Sequence, residues 1–514
     1  MVQTNWWEKR WVLALIVIAT AIPLMLPQTP PLVDLPGHMG RYRVQLDLAN
    51  STDLQRYFEF HWALIGNLGV DLLIIPLAPI FGLESAVKLI ALAIPPISAI
   101  GVFWVAKEVH GRIPPTAMFA LPFIYGFPFN YGFLNFSLSV GLALCAFGLW
   151  LSLTNRSRFM LRALIFIPIG GLLWLVHVFG WGILGLLALS SEVVRHHDLC
   201  ASWRKAFIRA AFATVPLGLP LILMVAWRSG AVSGETTLFF VLPYKLYALV
   251  AVLRDRWLIW DSFGVGAALV LIGAARYEQQ LSFSRKLAIP ASLLAIAFVI
   301  LPSMLLGSAY ADIRLGPLMF IVAILAIRVD EQAVSMARRL AWLSVAFVTV
   351  RMIGNTVSFA IADREARTWL TALDHIPHGA PVLFLVGDSC NERWAMPRQT
   401  HIASFVIIRR SGFSNDQWQA AGAQLLRIRY ERAGRFADDQ SIFVTTAKCL
   451  AQTERKSEKI QTTRNMTKRV LLRFPRDAFD YAWMIQVDDF DMRERPGLTP
   501  IWRSDDAVLY KIKH

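Results

Sequence analysis

Cysteine is scarce in this chain of 514 residues, which has four: Cys145, Cys200, Cys390 and Cys449. None stands among histidines at zinc-finger spacing, so a structural zinc module is excluded. Charge is scarce too, with 17% charged against 56% hydrophobic residues, whereas a soluble chain of this length would divide into domains with charged surfaces. A P-loop, a GxGxxG turn after a strand and a GxSxG elbow are all missing, which counts against a nucleotide-driven pump and a serine hydrolase. The net charge of +15 comes with no basic stretch interleaved with aromatics, so no nucleic-acid partner is expected.

What the chain has is a recurring run of about 16–20 apolar residues, punctuated by short basic clusters. This pattern predicts a polytopic α-helical membrane protein whose first partner is the lipid bilayer. Eleven spans are expected, at 11–27, 87–106, 115–134, 136–154, 161–177, 178–193, 207–227, 258–275, 287–306, 315–329 and 340–359. The first resembles a signal peptide, yet Pro27-Gln28-Thr29-Pro30 offers no small-residue cleavage site, and the span reads as a retained anchor. With the N-terminus inside, 17 Lys and Arg fall on the inner side and eight on the outer, which sets the orientation. The expected location is a bacterial inner membrane, with the N-terminus cytoplasmic.

Two apolar stretches, 62–82 and 236–253, do not fit as spans without reversing that bias. Polar, proline-broken backbone at membrane depth needs protein or a water-filled cavity to satisfy it, so both are expected to line an outward-facing pocket. The transmembrane domain is thus predicted over 1–360, with outer loop or surface helices at 28–86 and 229–257. Hydropathy falls at about residue 360, and 361–514 reads as a periplasmic α/β domain. A helix is expected at 365–373 and strands at 381–386, 403–409, 441–446, 469–474, 481–487 and 507–512. Cys390 and Cys449 both fall in that domain, where oxidising conditions would permit a disulfide.

Chemistry is expected first at Asp34 and His38, a few residues beyond the first span. From His38 onward the chain reads as a helix lying flat on the outer surface, with Met39, Tyr42, Leu46 and Ala49 on one face and His38, Arg41 and Gln45 on the other. Asp34 then precedes its N-terminus, aimed by the Pro36-Gly37 turn, as a general base or, with His38, a ligand for a divalent cation. The alternative is that Asp34 caps the helix and His38 is solvated. Asp71 and His177 are ionisable groups near or within apolar segments, which raises a functional question for each. Arg314, in Tyr310-Ala311-Asp312-Ile313-Arg314, tops a span beside an acid. In the last domain Asp388, His401, Asp480, Asp488, Asp489 and Asp491 read as a solvated acidic loop region rather than a cation site.

The order of parts resembles the GT-C superfamily of integral-membrane glycosyltransferases. An inner N-terminus, one span, an outer loop opening with an acid and a surface helix, ten further spans and an outer α/β domain all match. Short stretches carry the resemblance too: Asn67-Leu68-Gly69-Val70-Asp71, Tyr131-Gly132-Phe133-Leu134-Asn135-Phe136, Leu175-Val176-His177 and Ala311-Asp312-Ile313-Arg314. The resemblance implies transfer of a sugar from a polyprenyl-phosphate donor to a glycan, lipid or protein acceptor, with Asp34 as base or metal ligand. Where the superfamily often pairs two acids, Asp34 is followed by Leu35. A cation, Mg or Mn, therefore stays open, with His38 or Asp71 as second partner. Cations for the lipid phosphate are sought among Arg41, Lys245, Arg254 and Arg314, and Tyr310 joins them as a candidate donor-binding residue. Two other classes stay open: a transporter or flippase for a lipid-linked or anionic substrate, and a non-catalytic envelope-polysaccharide assembly protein.

Overall fold

The computed structural model describes residues 5–227, 236–237, 239–305, 309–388, 394–419, 424–445, 470, 473–487 and 497–514. Cys390, Cys449, Asp488, Asp489 and Asp491, with the disulfide reading that rests on two of them, lie outside these residues.

Long apolar runs with few breakers fold as helices because, away from water, a helix satisfies its own backbone. Seven helices among the described residues are long and apolar enough to cross a membrane: Leu83–His110, Leu134–Asn155, Phe159–Val176, Val178–Cys200, Trp203–Ile222, Leu258–Tyr277 and Val334–His375. Their outward faces carry Phe212, Ile222, Val270 and Trp342, all well exposed, as a surface that meets hydrocarbon should. Shorter apolar helices run over Arg10–Ala19, Gly69–Phe81, Leu242–Leu253 and Leu315–Leu325, with Arg285–Ile300 between them in length. The protein is a polytopic helical membrane protein with a C-terminal α/β domain.

The stretch 115–134 departs from expectation. It is a 3-10 helix, Ala117–Tyr125, followed by a short α-helix, Phe127–Tyr131, and residues 113–130 are buried throughout. Pro114, Pro115, Pro122 and Pro128 strip backbone donors from it, so a continuous α-helix cannot form. The bundle encloses it as core.

The helix Val334–Leu370 has 37 residues. At 1.5 Å per residue it is about 55 Å long, against roughly 30 Å of hydrocarbon. It continues unbroken past residue 360 and carries the chain into the C-terminal domain, so the helix expected at 365–373 is its last turns. There Pro381–Asp388 lies at the centre of a sheet, parallel to Tyr481–Ile485, while Phe413–Ser414 and Phe443–Thr445 pair with its two ends. Ala507–Ile512 runs antiparallel to Tyr481–Ile485, and Leu498–Arg503 forms the edge. The apolar run Val382–Val386 is buried on both faces, as a central parallel strand requires.

The strand expected at 403–409 is the helix Ser404–Arg410 instead. Ser404 to Ile408 are all buried, and a short apolar run covered on every side has no readable period.

The segment after the first span does not lie on a membrane surface. The helix Leu35–Asp47 is buried at Leu35, Pro36, Gly37, Met39, Gly40, Arg41, Tyr42 and Val44. It is clasped between the membrane helices and Ser404–Arg410. Further on, Phe58–Phe60 pairs antiparallel with Leu426–Ile428, and Tyr57 Oη donates to the Gly379 carbonyl at 2.6 Å. Residues 35–60 thus belong to the core of the C-terminal domain as much as to the bundle. Segments that the Lys/Arg pattern assigns to one side do meet. Asn130 Nδ2 donates to the Arg254 carbonyl and Arg409 pairs with Glu84 at the Asp34 end. At the opposite end Arg285 pairs with Asp198.

Candidate functional site

Asp34 is held by its backbone. Its N–H donates to the Tyr131 carbonyl at 2.8 Å, and the Val33 N–H reaches Asn130 O at 3.3 Å. The turn that offers those carbonyls depends on Gly132, whose φ is +103° and whose missing Cβ would stand 2.9 Å from Asp34 N. Any side chain there is both strained and in the way. Asp34 occupies the N-cap position of Leu35–Asp47, yet its side chain makes no capping hydrogen bond. The helix-cap alternative is therefore not what the carboxylate does.

Its neighbours come from the far end of the chain. His401 Nε2 stands 3.7 Å from Asp34 Oδ1. The other ring nitrogen of His401 lies 2.7 Å from the Asp416 carbonyl. A carbonyl only accepts, so Nδ1 carries the proton and Nε2 presents its lone pair to Asp34. Burial pushes the His401 pKa down to about 4, opposed by that carbonyl, so the ring is neutral at neutral pH. Burial also lifts the Asp34 pKa well above the usual carboxylate range; Arg314 pulls it back and Asp439 adds to the rise.

A polar lattice fixes His401. Ser404 Oγ donates to Asp416 Oδ2 at 2.9 Å and Ser414 Oγ to Asp416 Oδ1 at 2.6 Å. Gln417 Nε2 donates to the Gly37 carbonyl at 3.0 Å and to Ser404 Oγ at 2.8 Å. Trp418 packs on both His401 and His38, with ring centroids 4.8 and 5.2 Å away. Gly37 is small because a Cβ would strike Trp418 and crowd His401.

His38 is not a second ligand beside Asp34. It is half-buried, its buried Nδ1 has no partner among the described residues, and desolvation first, then Arg41, His401 and Arg314, hold its pKa well below normal. Its link to Asp34 is the backbone bond from His38 N to Asp34 O at 3.0 Å. Among the described residues no group of three or more His, Cys, Asp or Glu is placed to hold a metal ion. The donor set does not fit a cation held by protein alone.

Arg314 supplies the site's cation. It precedes the helix Leu315–Leu325 and its guanidinium lies over Phe133 at 4.1 Å, with Phe136 and Phe179 about the rim at 5.9 and 6.0 Å. Nη2 donates to the Ala309 carbonyl at 3.0 Å, while buried Nε has no partner among the described residues. Beside it lies a small cavity of about 40 Å³ lined by apolar side chains such as Ile94, Phe129, Val140 and Ile321, with Arg314 in its wall. The guanidinium lines this cavity and attracts the Asp34 carboxylate, which has the His401 imidazole 3.7 Å away.

The remaining candidates are engaged elsewhere. Arg41 and Asp71 form a buried bidentate pair with each other, so neither faces a ligand. Asn135 Nδ2 adds a bond to Asp71 Oδ2 at 3.3 Å. Lys245 is buried against Asp312 and the Phe298 and Leu301 carbonyls. Arg254 Nε donates to the Trp394 carbonyl at 2.6 Å. His177 Nδ1 accepts from Phe179 N at 3.2 Å and caps the helix Val178–Cys200. Tyr310, with φ +61°, packs edge-on or tilted against Phe127, Tyr131 and Phe133.

No protein-family model matches the sequence, and a search of the curated proteins finds no match. Among solved structures the chain is similar to ArnT from Cupriavidus metallidurans bound to undecaprenyl phosphate. Identity is 12%, coverage 97% of each chain and the TM-score 0.46.

Sequence reasoning singled out Asp34 and Arg314 as candidates and gave no sign of the residues that the C-terminal domain sets beside Asp34. His401 stood out only as one ionisable group among acids of the tail. Asn415, Asp416 and Gln417 are fully buried, yet consecutive polar residues after a glycine read as a solvated loop. Their one sequence signal is the density of Ser, Asn, Asp and Gln next to the apolar run 405–408.

Proposed function

We propose that the protein is a membrane glycosyltransferase that moves a sugar from a polyprenyl-phosphate-linked donor to an acceptor hydroxyl, with Asp34 as the base. The observation that carries this reading is a carboxylate that does no capping, faces a histidine lone pair and is attracted by an arginine that lines a small apolar cavity. The resemblance in order of parts agrees with it.

In the reaction, the acceptor oxygen attacks the anomeric carbon. The bond from that carbon to the phosphate oxygen breaks, and its electron pair leaves with the polyprenyl phosphate. The acceptor's proton passes to Asp34, whose raised pKa makes it a stronger base than a solvated carboxylate. A separation of 3.7 Å is too long for a direct hydrogen bond between Asp34 and His401 and lets one hydroxyl reach both. Arg314 meets the charge that grows on the departing phosphate, and the apolar side chains beside it suit the lipid's first isoprene units. The Lys/Arg distribution puts this end of the molecule on the outer, periplasmic face of the inner membrane. The acceptor is a glycan, lipid or protein hydroxyl.

The test is sugar transfer by the protein in lipid nanodiscs, offered a panel of polyprenyl-phosphate sugars. Asp34→Asn is expected to lower the rate about 10²–10⁴-fold, the span of general-base contributions, with binding of labelled donor retained. Loss of transfer in EDTA would assign Asp34 to a Mg or Mn ion shared with the donor phosphate. Donor that binds wild type and Asp34→Asn equally, with no turnover from any sugar, would move the protein to transport or to envelope assembly.

A further inference from the structure

Asp34 and Arg314 come from distant parts of the chain, and Arg314 acts on the carboxylate through a longer-range attraction. Tyr131 is bonded to both sides of that gap. It closes the short helix Phe127–Tyr131, and its carbonyl takes the Asp34 N–H at 2.8 Å. Its hydroxyl is hydrogen-bonded to the Tyr310 hydroxyl, with the two rings tilted at 58° and their centroids 5.1 Å apart.

Tyr310 carries the link on to the cation. Its carbonyl accepts from Arg314 N at 3.3 Å, and the carbonyl before it, that of Ala309, accepts from Arg314 Nη2 at 3.0 Å. Tyr310 also holds φ +61°, a left-handed conformation that a bulky side chain resists. Such a residue keeps its place only where its surroundings fix it. Phe127, with its ring centroid 5.3 Å away, and Phe133, at 6.4 Å, pack against the Tyr310 ring, and the bond to Tyr131 fixes the hydroxyl.

Sugar transfer makes use of such a relay. The acceptor oxygen arrives and the phosphate oxygen departs at the same anomeric carbon, so base and cation must keep one spacing. The Arg314 guanidinium ends a long side chain with many rotamers. Its rest over Phe133 at 4.1 Å does not by itself set a distance to Asp34.

We propose that Tyr131 is a positioning residue for sugar transfer: its carbonyl seats Asp34, and its hydroxyl, acting through Tyr310, seats Arg314. The proposal rests on the sugar-transfer reading and adds to it the part that holds the base and the cation at one spacing.

The test compares wild type, Tyr131→Phe, Tyr310→Phe and the double variant in lipid nanodiscs, with the concentration of a polyprenyl-phosphate sugar varied and melting temperatures measured alongside. Tyr131→Phe keeps ring and carbonyl and deletes only the hydroxyl. It is expected to lower kcat about tenfold and to raise the donor KM about threefold, as slight misplacement does, with a melting temperature close to that of wild type. Tyr310→Phe cuts the same bond from its other end and keeps the test sharp if Tyr131→Phe fails to fold. The double variant should be no worse than either single one. The control is Tyr125→Phe, which removes a buried hydroxyl that donates to the Thr20 carbonyl at 2.6 Å; it should lower the melting temperature and leave kcat and KM alone. Wild-type transfer with kcat and KM unchanged in Tyr131→Phe overturns the positioning role and leaves the sugar-transfer reading standing. Additive losses in the double variant overturn the role too, because Tyr310 then acts without Tyr131. No transfer by wild type from any donor overturns the sugar-transfer reading, and this role with it.

Discussion

Two carboxylates flank the helix Leu35–Asp47, and the fold treats them in opposite ways. Asp71 is fully buried and fully answered: Arg41 grips both oxygens, Asn135 adds a bond and Gln45 holds its carbonyl. Asp34 has a side chain 13% exposed, no capping bond and a neutral histidine 3.7 Å away. Burial marks both, so burial does not separate a scaffold acid from a reactive one. The partners do: a carboxylate whose bonds are all made is structure, and one left with a lone pair and a distant cation has something to do.

The sharpest way to break this comparison is to neutralise each acid in turn. Asp71→Asn leaves the Arg41 cation buried without its counter-charge, which is expected to cost about 3–5 kcal/mol and to show as a large drop in melting temperature in detergent. Asp34→Asn breaks no capping bond and takes from Arg314 only a longer-range attraction, so its melting point should fall far less than that of Asp71→Asn while sugar transfer collapses. If Asp34→Asn melts as early as Asp71→Asn, Asp34 is a scaffold residue and the proposed chemistry loses its base.

A second break acts on the backbone. Gly132→Ala puts a Cβ against Asp34 N and forces φ +103° on a residue that resists it. The strain is expected to cost about 1–3 kcal/mol, and displacing Asp34 by even part of an ångström to lower turnover about 10²-fold with donor binding less affected. The control is Gly111→Ala, where φ is +74° but no atom lies within 4 Å. It should lose stability to a similar degree and keep its turnover. Equal losses of turnover in both variants would remove Gly132 as the residue that positions Asp34.

The two acids also differ in how far the sequence reveals them. Asp34 follows a span end and a proline-rich turn, and Arg314 tops a span, so position along the chain is enough to single them out. The Arg41–Asp71 pair joins residues 30 apart across a segment broken by His61 to Asn67, and no periodicity records such a meeting. Arg41 looked like part of a polar face for the same reason: a helix read alone has an outside, whereas this one is covered by the helix Ser404–Arg410, which the sequence disguises as a strand. The stretch 115–134 was hydrophobic enough to be a span, and only its four prolines hinted that it would be enclosed as core. Fold class was legible because hydropathy is a local property. The second wall of the site was not, because it is made by a contact between residues more than 360 positions apart.

The smallest effect isolates that wall. Burial raises the Asp416 pKa from 3.8 to about 7, so its contribution to stability is fully present below 3.8 and lost as pH rises to about 7. His401 is lowered from 6.5 to about 4, so its contribution is present above 6.5 and lost as pH falls toward 4. Between about 4 and 6.5 the two act with opposite sign, each by up to ~1.4 kcal/mol per pH unit. Asp439, raised to about 6, acts in the same sense as Asp416. Melting curves across pH 4.5–7 should therefore separate three proteins. Relative to wild type, Asp416→Asn is expected to gain stability as pH rises, because the His401 contribution is no longer offset. His401→Gln is expected to lose stability as pH rises, because Asp416 then acts unopposed. Asp34, raised in the same sense as Asp416, leaves the difference between the variants intact because it is present in all three. Parallel slopes in the three proteins would mean that the Asp416 lattice is solvated in the working protein, and His401 would then be a surface histidine with no fixed lone pair to offer Asp34.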